Sequence, residues 1–388
     1  MRHLTADYIF PVDTPPIKNG VVSIKENGEI VAVQSKEGFN NKSSIEPEYH
    51  KGIITPGFVN AHCHLELSHL KGKIAKKTGL VNFIIEVQKF RNTSSEEIIK
   101  AMLDAEAEML KNGIVAVGDI SNTAVSFPVK SKSKLYYHTF IELLGFNPEN
   151  ALSIFAKGQE LQTANSQLPT SLTAHAPYST SNALLREIST QNNILSIHFR
   201  ESKEELRFLK KKEGDFLKLY ETFGINIDFY EPNPDESLKS YLQNIKSGST
   251  IQLVHNTYIP ENDLAEIPSK NILYWCLCPR ANLYIEDRLS DIDKLLKFSD
   301  YITIGTDSLA SNNQLNILSE LQLIQASFSK IPLTELIKWA TLNGANYLGI
   351  SERFGSITKG KKPGLNLISE LDVSKQHLSA NSKVKRLI

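Results

Sequence analysis

Two histidines one residue apart are the strongest chemical signal in this sequence. His62 and His64 end the segment TPGFVNAHCH, which spans residues 55–64 and reads as a buried strand. Residues i and i+2 of a strand point to the same face with Cα atoms about 7 Å apart, so both imidazoles can reach one ion. Such a pair also occurs on protein surfaces by chance, and it predicts a metal site only together with further ligands from elsewhere in the chain.

Further polar side chains lie at the C-terminal ends of later apolar segments. His198 follows ILSI, His255 follows IQLV, and Asp307 follows ITIGT. A buried strand normally carries Val, Ile or Leu there, and a single His or Asp in that place is usually a hydrogen-bonded core residue. Several such residues in phase with strand ends favour a shared site. Imidazole with carboxylate suits zinc or iron(II), whereas magnesium and calcium prefer oxygen ligands.

The elements that must position these residues are eight strand-like segments. They span residues 52–64, 114–121, 134–143, 171–179, 194–202, 250–258, 272–279 and 301–308. Amphipathic stretches separate them, and residues 95–113 predict a helix with Glu early, Lys late and a closing Gly. Strands alternating with helices predict an α/β fold, a distorted (β/α)8 TIM-like barrel whose active site gathers at the C-terminal strand ends.

The two ends of the chain predict a separate β unit. Residues 5–54 read as short strands, with an Asn27-Gly28 hairpin signal, and residues 355–369 return to strand-like character after the barrel. We therefore expect a small β-sandwich domain made of residues 1–53 and 350–388, with the barrel at residues 54–349.

The bulk composition narrows the class of partner. Lys+Arg and Asp+Glu both number 43, so no overall charge favours nucleic acid or an anionic membrane. Apolar runs fall short of the roughly 20 residues that span a bilayer, and the N-terminus lacks the features of an export signal. Three cysteines do not make a disulfide framework. These features predict a cytoplasmic protein that acts on a small molecule.

A resemblance to a known family becomes specific at this point. The strings PGFVNAHCHLELS, HAPYS, HFRES, VHN, CPRAN and GTDS occur in the order found in the amidohydrolase superfamily. In its deaminase branch, the resemblance implies His62, His64, His198 and Asp307 as metal ligands, Glu201 as proton shuttle and His255 as the residue that orients the attacking water. The fourth strand, SLTAHAPYS, has no lysine to bridge two ions, which implies one divalent transition metal, zinc or iron.

These residues support a hydrolytic deamination. A bound ion lowers the pKa of its water from about 15.7 towards 7, which makes hydroxide available at neutral pH. Asp307 can orient that water, and Glu201 can pass its proton to a ring nitrogen of the substrate. Addition of the hydroxide to an amino-bearing carbon and loss of ammonia complete the expected reaction.

The substrate is predicted from weaker signals. His175 aligns with a substrate-contacting histidine of nucleoside-type deaminases, and Tyr178 and Ser179 are expected beside it on a barrel-top loop. Ser308 is a further candidate for substrate binding. The HLELS string, with Glu66, resembles that of 6-aminodeoxyfutalosine deaminases, which act in the futalosine route to menaquinone. Arg91 falls where methylthioadenosine and S-adenosylhomocysteine deaminases carry a ribose-binding Glu, and a guanidinium suits the carboxylate of aminodeoxyfutalosine.

Alternative functions stay open on the sequence alone. The same site could open a cyclic amide, as imidazolonepropionase-like enzymes do, displace chloride from a triazine, or deaminate another purine or pyrimidine. A non-catalytic barrel that only binds ligands is disfavoured, because all the residues expected to bind the metal and to catalyse the reaction are present. A homodimer is expected by analogy with related enzymes. The C-terminal strand reads Leu365-Asn366 where the family usually has Ala-Asp, a departure expected to touch only the β unit.

Overall fold

The computed structural model describes residues 1–40, 45–191 and 193–388. Strands in these residues fall into a terminal sheet and a barrel. In chain order they are β1 (Arg2–Ile9), β2 (Ile17–Lys18), β3 (Val21–Ile24), β4 (Ile30–Gln34), β5 (Glu48–Pro56), β6 (Phe58–Cys63), β7 (Ile114–Ser121), β8 (Tyr136–Leu143), β9 (Thr170–Ala174), β10 (Ile194–Phe199), β11 (Thr250–His255), β12 (Ile272–Leu277), β13 (Ile302–Ile304), β14 (Leu365–Ser369) and β15 (Lys383–Arg386).

The helices in chain order are α1 (Lys36–Asn40), α2 (Leu80–Phe90), α3 (Ser95–Lys111), α4 (Phe127–Ser131), α5 (Ala151–Ala164), α6 (Asn182–Gln191), α7 (Lys203–Lys211), α8 (Asp215–Thr222), α9 (Leu238–Leu242), α10 (Glu261–Ala265), α11 (Pro279–Glu286), α12 (Ile292–Leu295), α13 (Ile317–Ser327), α14 (Leu333–Lys338) and α15 (Gly344–Tyr347). Most of the helices follow strands of the barrel, whereas α1 lies between β4 and β5 of the terminal sheet. Short 3₁₀ turns lie at Leu65–Leu70, Pro148–Asn150 and Leu296–Tyr301, and a π turn at Trp339–Asn343. Within the described residues, no helix combines the length and apolar character needed to cross a bilayer.

The barrel consists of two parallel four-stranded sheets, β6 to β9 and β10 to β13. Backbone hydrogen bonds join them on both sides. The His198 amide donates to the His175 carbonyl at 2.9 Å, and the Thr306 and Asp307 amides both donate to the His62 carbonyl at 3.1 Å. Each of the eight predicted segments therefore contains a barrel strand, although only β7 fills its segment. Residues 52–56 of the first predicted segment belong to β5 of the terminal sheet, so that part of the prediction was wrong. The hydrogen bonds that close the barrel therefore involve candidate site residues predicted from the sequence, namely His62, His175, His198 and Asp307.

Helix α3 shows why the predicted helices form where they do. The Ser94 side chain accepts a hydrogen bond from the Glu97 amide at the start of the helix, and Glu residues occupy its first turn, which stabilises the helix N-terminus. Met102, Ala105 and Met109 lie on one face and are buried in the core. The helix ends two residues earlier than the predicted segment 95–113.

Both chain ends contribute to one seven-stranded sheet in the order β15-β14-β5-β1-β3-β4, with β2 paired to β1. The predicted hairpin is present as antiparallel β3 and β4, and Gly28 adopts the positive φ of 83° that its turn requires. Of the predicted segment 355–369, only Leu365–Ser369 is a strand. Strand β5 runs across the expected boundary at 53/54, and the domain limits themselves stay a prediction.

The sheet and the barrel meet at Gly113, just before β7. Its carbonyl accepts hydrogen bonds from the Phe58 amide at 2.9 Å and from the Asn366 side chain at 2.8 Å. Asn366 therefore contacts the barrel as well as the sheet, and the expectation that it touches only the β unit was wrong. A glycine is required here because φ is +76° and a Cβ atom would overlap the Asn366 amide.

Gly113→Ala tests this junction, with Gly248→Ala as its matched control. Gly248 also has a positive φ, of 85°, but has open space around it. We expect the control to cost about 1–2 kcal/mol of unfolding free energy from its backbone conformation alone. Gly113→Ala should cost about 1–3 kcal/mol more because the new methyl group displaces Asn366. Urea unfolding measures both, and equal losses would show that the junction is not tightly packed.

Candidate active site

Four side chains converge at the C-terminal ends of the barrel strands. The ligand atoms of His62, His64, His198 and Asp307 all lie within 4.8 Å of one another. The Nε2 atom of His64 lies 3.1 Å from Nε2 of His62 and 3.2 Å from Nε2 of His198. The Asp307 carboxylate is 3.4 Å from the same His64 atom. His62 lies in β6 and His64 directly follows it, whereas His198 lies in β10 and Asp307 follows β13, so closure of the barrel creates the cluster.

Hydrogen bonds behind the cluster fix how the imidazoles point. The Nδ1 atom of His198 lies 3.0 Å from the His175 carbonyl oxygen, which can only accept, so Nδ1 carries the proton and Nε2 offers its lone pair to the cluster. The Nδ1 atom of His62 lies 3.3 Å from the Ser196 hydroxyl. Ser311 donates to one Asp307 oxygen at 2.5 Å, which leaves the other oxygen facing the histidines.

The donor set fits one divalent transition ion. Burial lowers the pKa of His62 and His198 below the usual range and that of His64 to about 3, so all three imidazoles are neutral at pH 7. Where neighbouring Nε2 atoms are both unprotonated, their lone pairs repel one another at this distance, and a cation between them removes the repulsion. Three nitrogens and one carboxylate oxygen are ligands that zinc and iron(II) accept.

Two further polar residues face the same cavity. The Glu201 carboxylate lies 3.6 Å from Nε2 of His255, and both residues are almost fully buried. The Nδ1 atom of His255 pairs with the Asn282 side-chain oxygen at 2.8 Å, which leaves Nε2 free to accept a hydrogen bond from a water. Burial, reinforced by the negative charge of Asp307, raises the pKa of Glu201 well above its usual value.

The backbone at two of these strand ends is unusual. His255 has φ of 75° and Asp307 has φ of 56°, values that non-glycine residues rarely adopt. This conformation turns both side chains inwards as their strands end. Strain of this kind persists where the surrounding structure holds the residue, and it is concentrated at functional sites.

The metal cavity is defined as the space over this cluster, with a volume of about 110 Å³. Of the predicted substrate residues, the structure places His175, Arg91, Tyr178 and Ser308 in its wall. Arg91 ends helix α2, and its guanidinium donates to the Asn122 side chain at 3.3 Å. Hydrophobic side chains of α2 complete the wall on that side.

Glu66 is not brought to this cavity. Its carboxylate accepts hydrogen bonds from the Asn122 amide at 3.1 Å and from the hydroxyls of Thr123 and Ser126 at 3.1 and 3.3 Å. These contacts hold the loop after β7, and they occupy the oxygens that a substrate would need. The Glu66 carboxylate is thus bound to the loop after β7, and a contact between Glu66 and substrate stays a prediction.

The sequence interpretation missed Glu142 and Asn122, which also line the metal cavity. One Glu142 oxygen lies 3.5 Å from Nδ1 of His198, and the other accepts from the Asn122 side chain at 2.9 Å. Asn122 thus links Arg91 to Glu142, and Glu142 to a metal-ligand candidate. Glu142 stands near the end of a predicted barrel strand, which is the signal that identified His198, and the same rule could have found it.

A buried ion pair supports the segment that carries His64. Lys130 lies 2.6 Å from Asp119, and both side chains are fully buried. The other Asp119 oxygen accepts the Leu65 amide at 2.8 Å, directly after His64. Lys130 also donates to Ser121 at 2.7 Å. Its positive charge offsets the Asp119 charge that fixes this part of the chain.

This fold and site define a class. A closed (β/α)8 barrel with imidazoles and carboxylates converging at its C-terminal strand ends is the arrangement of metal-assisted barrel hydrolases.

Comparison with known proteins identifies the family. The amidohydrolase family model matches residues 53–386. Adenosine deaminase of Helicobacter pylori is 27% identical over 332 residues, with 82% of this chain and 79% of the relative covered. Aminodeoxyfutalosine deaminase of Nitratiruptor sp. is 27% identical over 334 residues, with 81% and 78% covered. The structure of Helicobacter pylori aminofutalosine deaminase in complex with methylthio-coformycin has a TM-score of 0.82 at 23% identity and full coverage of both chains, which shows a shared fold.

The chain belongs to the amidohydrolase family. It is therefore a hydrolase that acts on carbon–nitrogen bonds other than peptide bonds, as the resemblance in its sequence motifs implied. The predicted TIM-like barrel is confirmed.

Lys130→Met tests the buried ion pair, with Lys25→Met as its control. Removing Lys130 leaves Asp119 buried without its cation, and we expect a loss of about 3–5 kcal/mol of unfolding free energy. Lys25 pairs with Glu29 at 2.7 Å, but its side chain is 50% exposed. The control should cost at most about 1 kcal/mol. Denaturant unfolding followed by circular dichroism measures both, and similar losses would contradict the structural importance of the buried pair.

Proposed function

We propose that this protein hydrolytically deaminates an adenine-containing nucleoside, with 6-aminodeoxyfutalosine of the futalosine route to menaquinone as the foremost candidate substrate. The observation that carries the proposal is the convergence of His62, His64, His198 and Asp307 beside Glu201 and His255 in one cavity. The named activities of the relatives, adenosine deaminase and aminodeoxyfutalosine deaminase, support the same reaction.

The three histidines and Asp307 would hold one zinc or iron(II) ion. When bound, such an ion supplies a water acidic enough to act as a nucleophile at neutral pH. His255 then accepts a hydrogen bond from the attacking water through its free Nε2 and fixes its orientation. Asp307 contributes a carboxylate oxygen on the same side, held in place by Ser311.

Glu201 is assigned the proton transfers. Burial and the negative charge of Asp307 raise the pKa of Glu201, so its carboxyl group holds a proton more readily than an ordinary glutamate does, which suits it to proton transfer. Glu201 lies in the cavity wall and can accept a proton from the water and donate it to a ring nitrogen of the substrate. In the second transfer, Glu201 would take the proton of the added hydroxyl group and donate it to the leaving amine, so that ammonia departs, the hydroxyl becomes the carbonyl of the product and the ring nitrogen keeps its proton.

Arg91 supports a substrate that carries a carboxylate. Among the described residues in the wall of the metal cavity, it is the one Lys or Arg. One of its donors reaches Asn122, and the rest of the guanidinium fork is available for a bidentate contact. His175 is assigned to the heterocycle, because its Nδ1 pairs with Ser179 at 2.5 Å and its Nε2 is left to contact substrate.

The deciding experiment is an ammonia-release assay on protein reconstituted with zinc or iron(II). The panel comprises aminodeoxyfutalosine, adenosine, methylthioadenosine, S-adenosylhomocysteine, guanine and cytosine, with metal content measured on the same sample. A preference for aminodeoxyfutalosine of about a hundredfold in kcat/KM, roughly 2.7 kcal/mol of transition-state discrimination, is expected. Ammonia from none of them, with one metal equivalent bound, would overturn the proposal and redirect it to cyclic amides or triazines.

Glu201→Gln should retain the metal and lose turnover by at least a hundredfold, because an amide occupies the same space but cannot transfer the proton. Metal analysis and kcat on the same preparation separate the two effects. Glu213→Gln is the control, since the Glu213 side chain is 55% exposed and far outside the cavity wall. Near-full kcat in Glu201→Gln would remove this residue from the mechanism.

Arg91→Ala should raise the Michaelis constant for aminodeoxyfutalosine at least tenfold, about 1.4 kcal/mol, because the carboxylate loses its cation. The Michaelis constant for adenosine, which has no carboxylate, should change much less. Lys89→Ala is the matched control on the same helix, because the Lys89 side chain is 61% exposed and does not line the cavity. An unchanged Michaelis constant for the carboxylated substrate would exclude Arg91 from its recognition.

A further inference from the structure

The position of Glu201 is set by its backbone. The residue follows strand β10 and precedes Ser202, whose hydroxyl caps helix α7 by accepting the Glu204 amide at 3.1 Å. The Glu201 carboxylate lines the metal cavity, 3.6 Å from Nε2 of His255. A carboxyl group that moves protons must stay free to change its partners. Its place is therefore best fixed through the peptide units on either side of it.

The Glu205 carboxylate binds this backbone directly. One of its oxygens accepts the Arg200 amide at 3.2 Å, and the other accepts the Glu201 amide at 3.1 Å. Successive backbone N–H groups directed at one anion form a concave anion-binding site. A carboxylate that accepts both of them fixes two consecutive peptide units at once.

The sequence Ser202-Lys203-Glu204-Glu205 has the pattern of a capping box, and Glu205 reaches further back than such a box requires. In a capping box, the Glu three residues after the N-cap accepts the amide of the N-cap residue itself. Here the carboxylate accepts the amides one and two residues before Ser202. The contact therefore holds the residue that faces the metal cavity.

The peptide unit between Arg200 and Glu201 is also bound on its other side. The Arg200 carbonyl accepts the Tyr258 amide at 2.9 Å, three residues after His255. Arg200 has a φ of 51°, which non-glycine residues rarely adopt and which persists only where contacts hold it. Without Glu205, this peptide unit is free to rotate about its remaining bond and to carry Glu201 away from His255.

A buried cluster of charges holds Glu205 in turn. The Arg200 guanidinium lies 3.7 Å from Glu205, 3.3 Å from Asp263 and 3.9 Å from Glu236. Burial raises the pKa of Glu205 to about 7, and the charge of Arg200 and the two amides limit the rise. Asp263 shares Arg200 with Glu205, but its second oxygen accepts the Leu238 amide at 3.1 Å, at the start of α9. Asp263 is therefore a matched control for Glu205.

We propose that Glu205 is a positioning residue, which holds the Glu201 carboxyl group beside His255 through the amides of Arg200 and Glu201. The kinetic consequence rests on the proposed deaminase function, whereas the placement of Glu201 can be measured without a substrate. Glu205 is not among the described residues of the metal cavity wall and acts through the backbone. A misplacement of about 1 Å can cost about a hundredfold in rate, so loss of these bonds should be visible in turnover.

The kinetic test compares Glu205→Gln with Asp263→Asn in metal-loaded protein, with adenosine and aminodeoxyfutalosine as substrates. Both changes replace a buried carboxylate beside Arg200 by an amide of the same shape, so both should lower the Tm. In Glu205→Gln, the new NH2 group also faces a backbone N–H, and two donors cannot bond. We expect kcat of this variant to fall about tenfold or more, with the Michaelis constant within about threefold of the wild-type value and the metal content unchanged.

Asp263→Asn should keep kcat within about threefold of the wild-type value despite its lower Tm. Equal falls of kcat in both variants would show a general effect of stability and overturn the proposal. Glu205→Asp replaces Glu205→Gln if the latter does not fold. It keeps the charge beside Arg200, but its shorter side chain cannot reach both amides, and the same fall of kcat is expected.

Combination with Glu201→Gln shows whether Glu205 acts through Glu201. In the Glu201→Gln background, Glu205→Gln should leave the residual kcat within about twofold, because the group that it positions is already gone. A further fall of about tenfold in this background would mean that Glu205 affects the rate by another route, and the proposal would fail.

Crystal structures of the zinc-loaded wild type and of both variants measure the placement independently of turnover. The distance from the Glu201 carboxylate to Nε2 of His255 should increase by about 1 Å or more in Glu205→Gln and by less than about 0.5 Å in Asp263→Asn. If the wild type releases no ammonia from either nucleoside, the deaminase function fails, and these distances still decide the role of Glu205. An unmoved Glu201 in Glu205→Gln would refute that role whatever the kinetics.

Discussion

Three uncharged imidazoles directed at one point are the constraint on which this structure depends. The Nε2 atoms of His62 and His198 lie 3.1 and 3.2 Å from Nε2 of His64, and burial lowers the pKa of all three imidazoles. Where these nitrogens are unprotonated, their lone pairs repel one another, and a cation between them removes that repulsion. The folded barrel holds this arrangement because His62 and His64 are fixed by β6, while Asp307 is brought to them by the hydrogen bonds that close the barrel. The hydrogen bonds that close the barrel therefore also bring the site residues together.

The buried charged residues around the cluster fall into two groups, those that bind the backbone and those that face the cavity. Asp119 accepts a hydrogen bond from the Leu65 amide, next to His64, and Glu66 accepts one from the Asn122 amide. Neither carboxylate faces the cavity, and Lys130 supplies the positive charge that pairs with Asp119. Glu201, Glu142 and Asp307 face the cavity and are free to meet substrate or metal. Placing the supporting carboxylates on backbone amides keeps the ligand geometry rigid, because amide positions are set by the strands themselves.

The walls of two neighbouring cavities also differ. The metal cavity combines charged residues around the cluster with apolar side chains of α2, whereas the described wall of a second cavity of about 380 Å³ beside it contains no Lys, Arg, Asp or Glu. A charged wall holds a reacting group in orientation, whereas an apolar wall adds affinity without competing for protons. Residues His175 and Tyr178 belong to both walls, so any ligand that occupies both regions passes them.

The sequence by itself determined the eight barrel strands and the polar residues at their C-terminal ends. Strand periodicity located eight strands, and polar residues at their ends identified His198, His255 and Asp307, because periodicity and strand-end position are local properties of the chain. Only the tertiary structure decided the partners. Glu66 accepts hydrogen bonds from the loop after β7, Lys130 pairs with Asp119, and the second cavity beside the metal cavity is formed by segments near residues 84, 145, 178 and 223. These contacts arise when distant segments pack together, and no local pattern encodes which segments will meet.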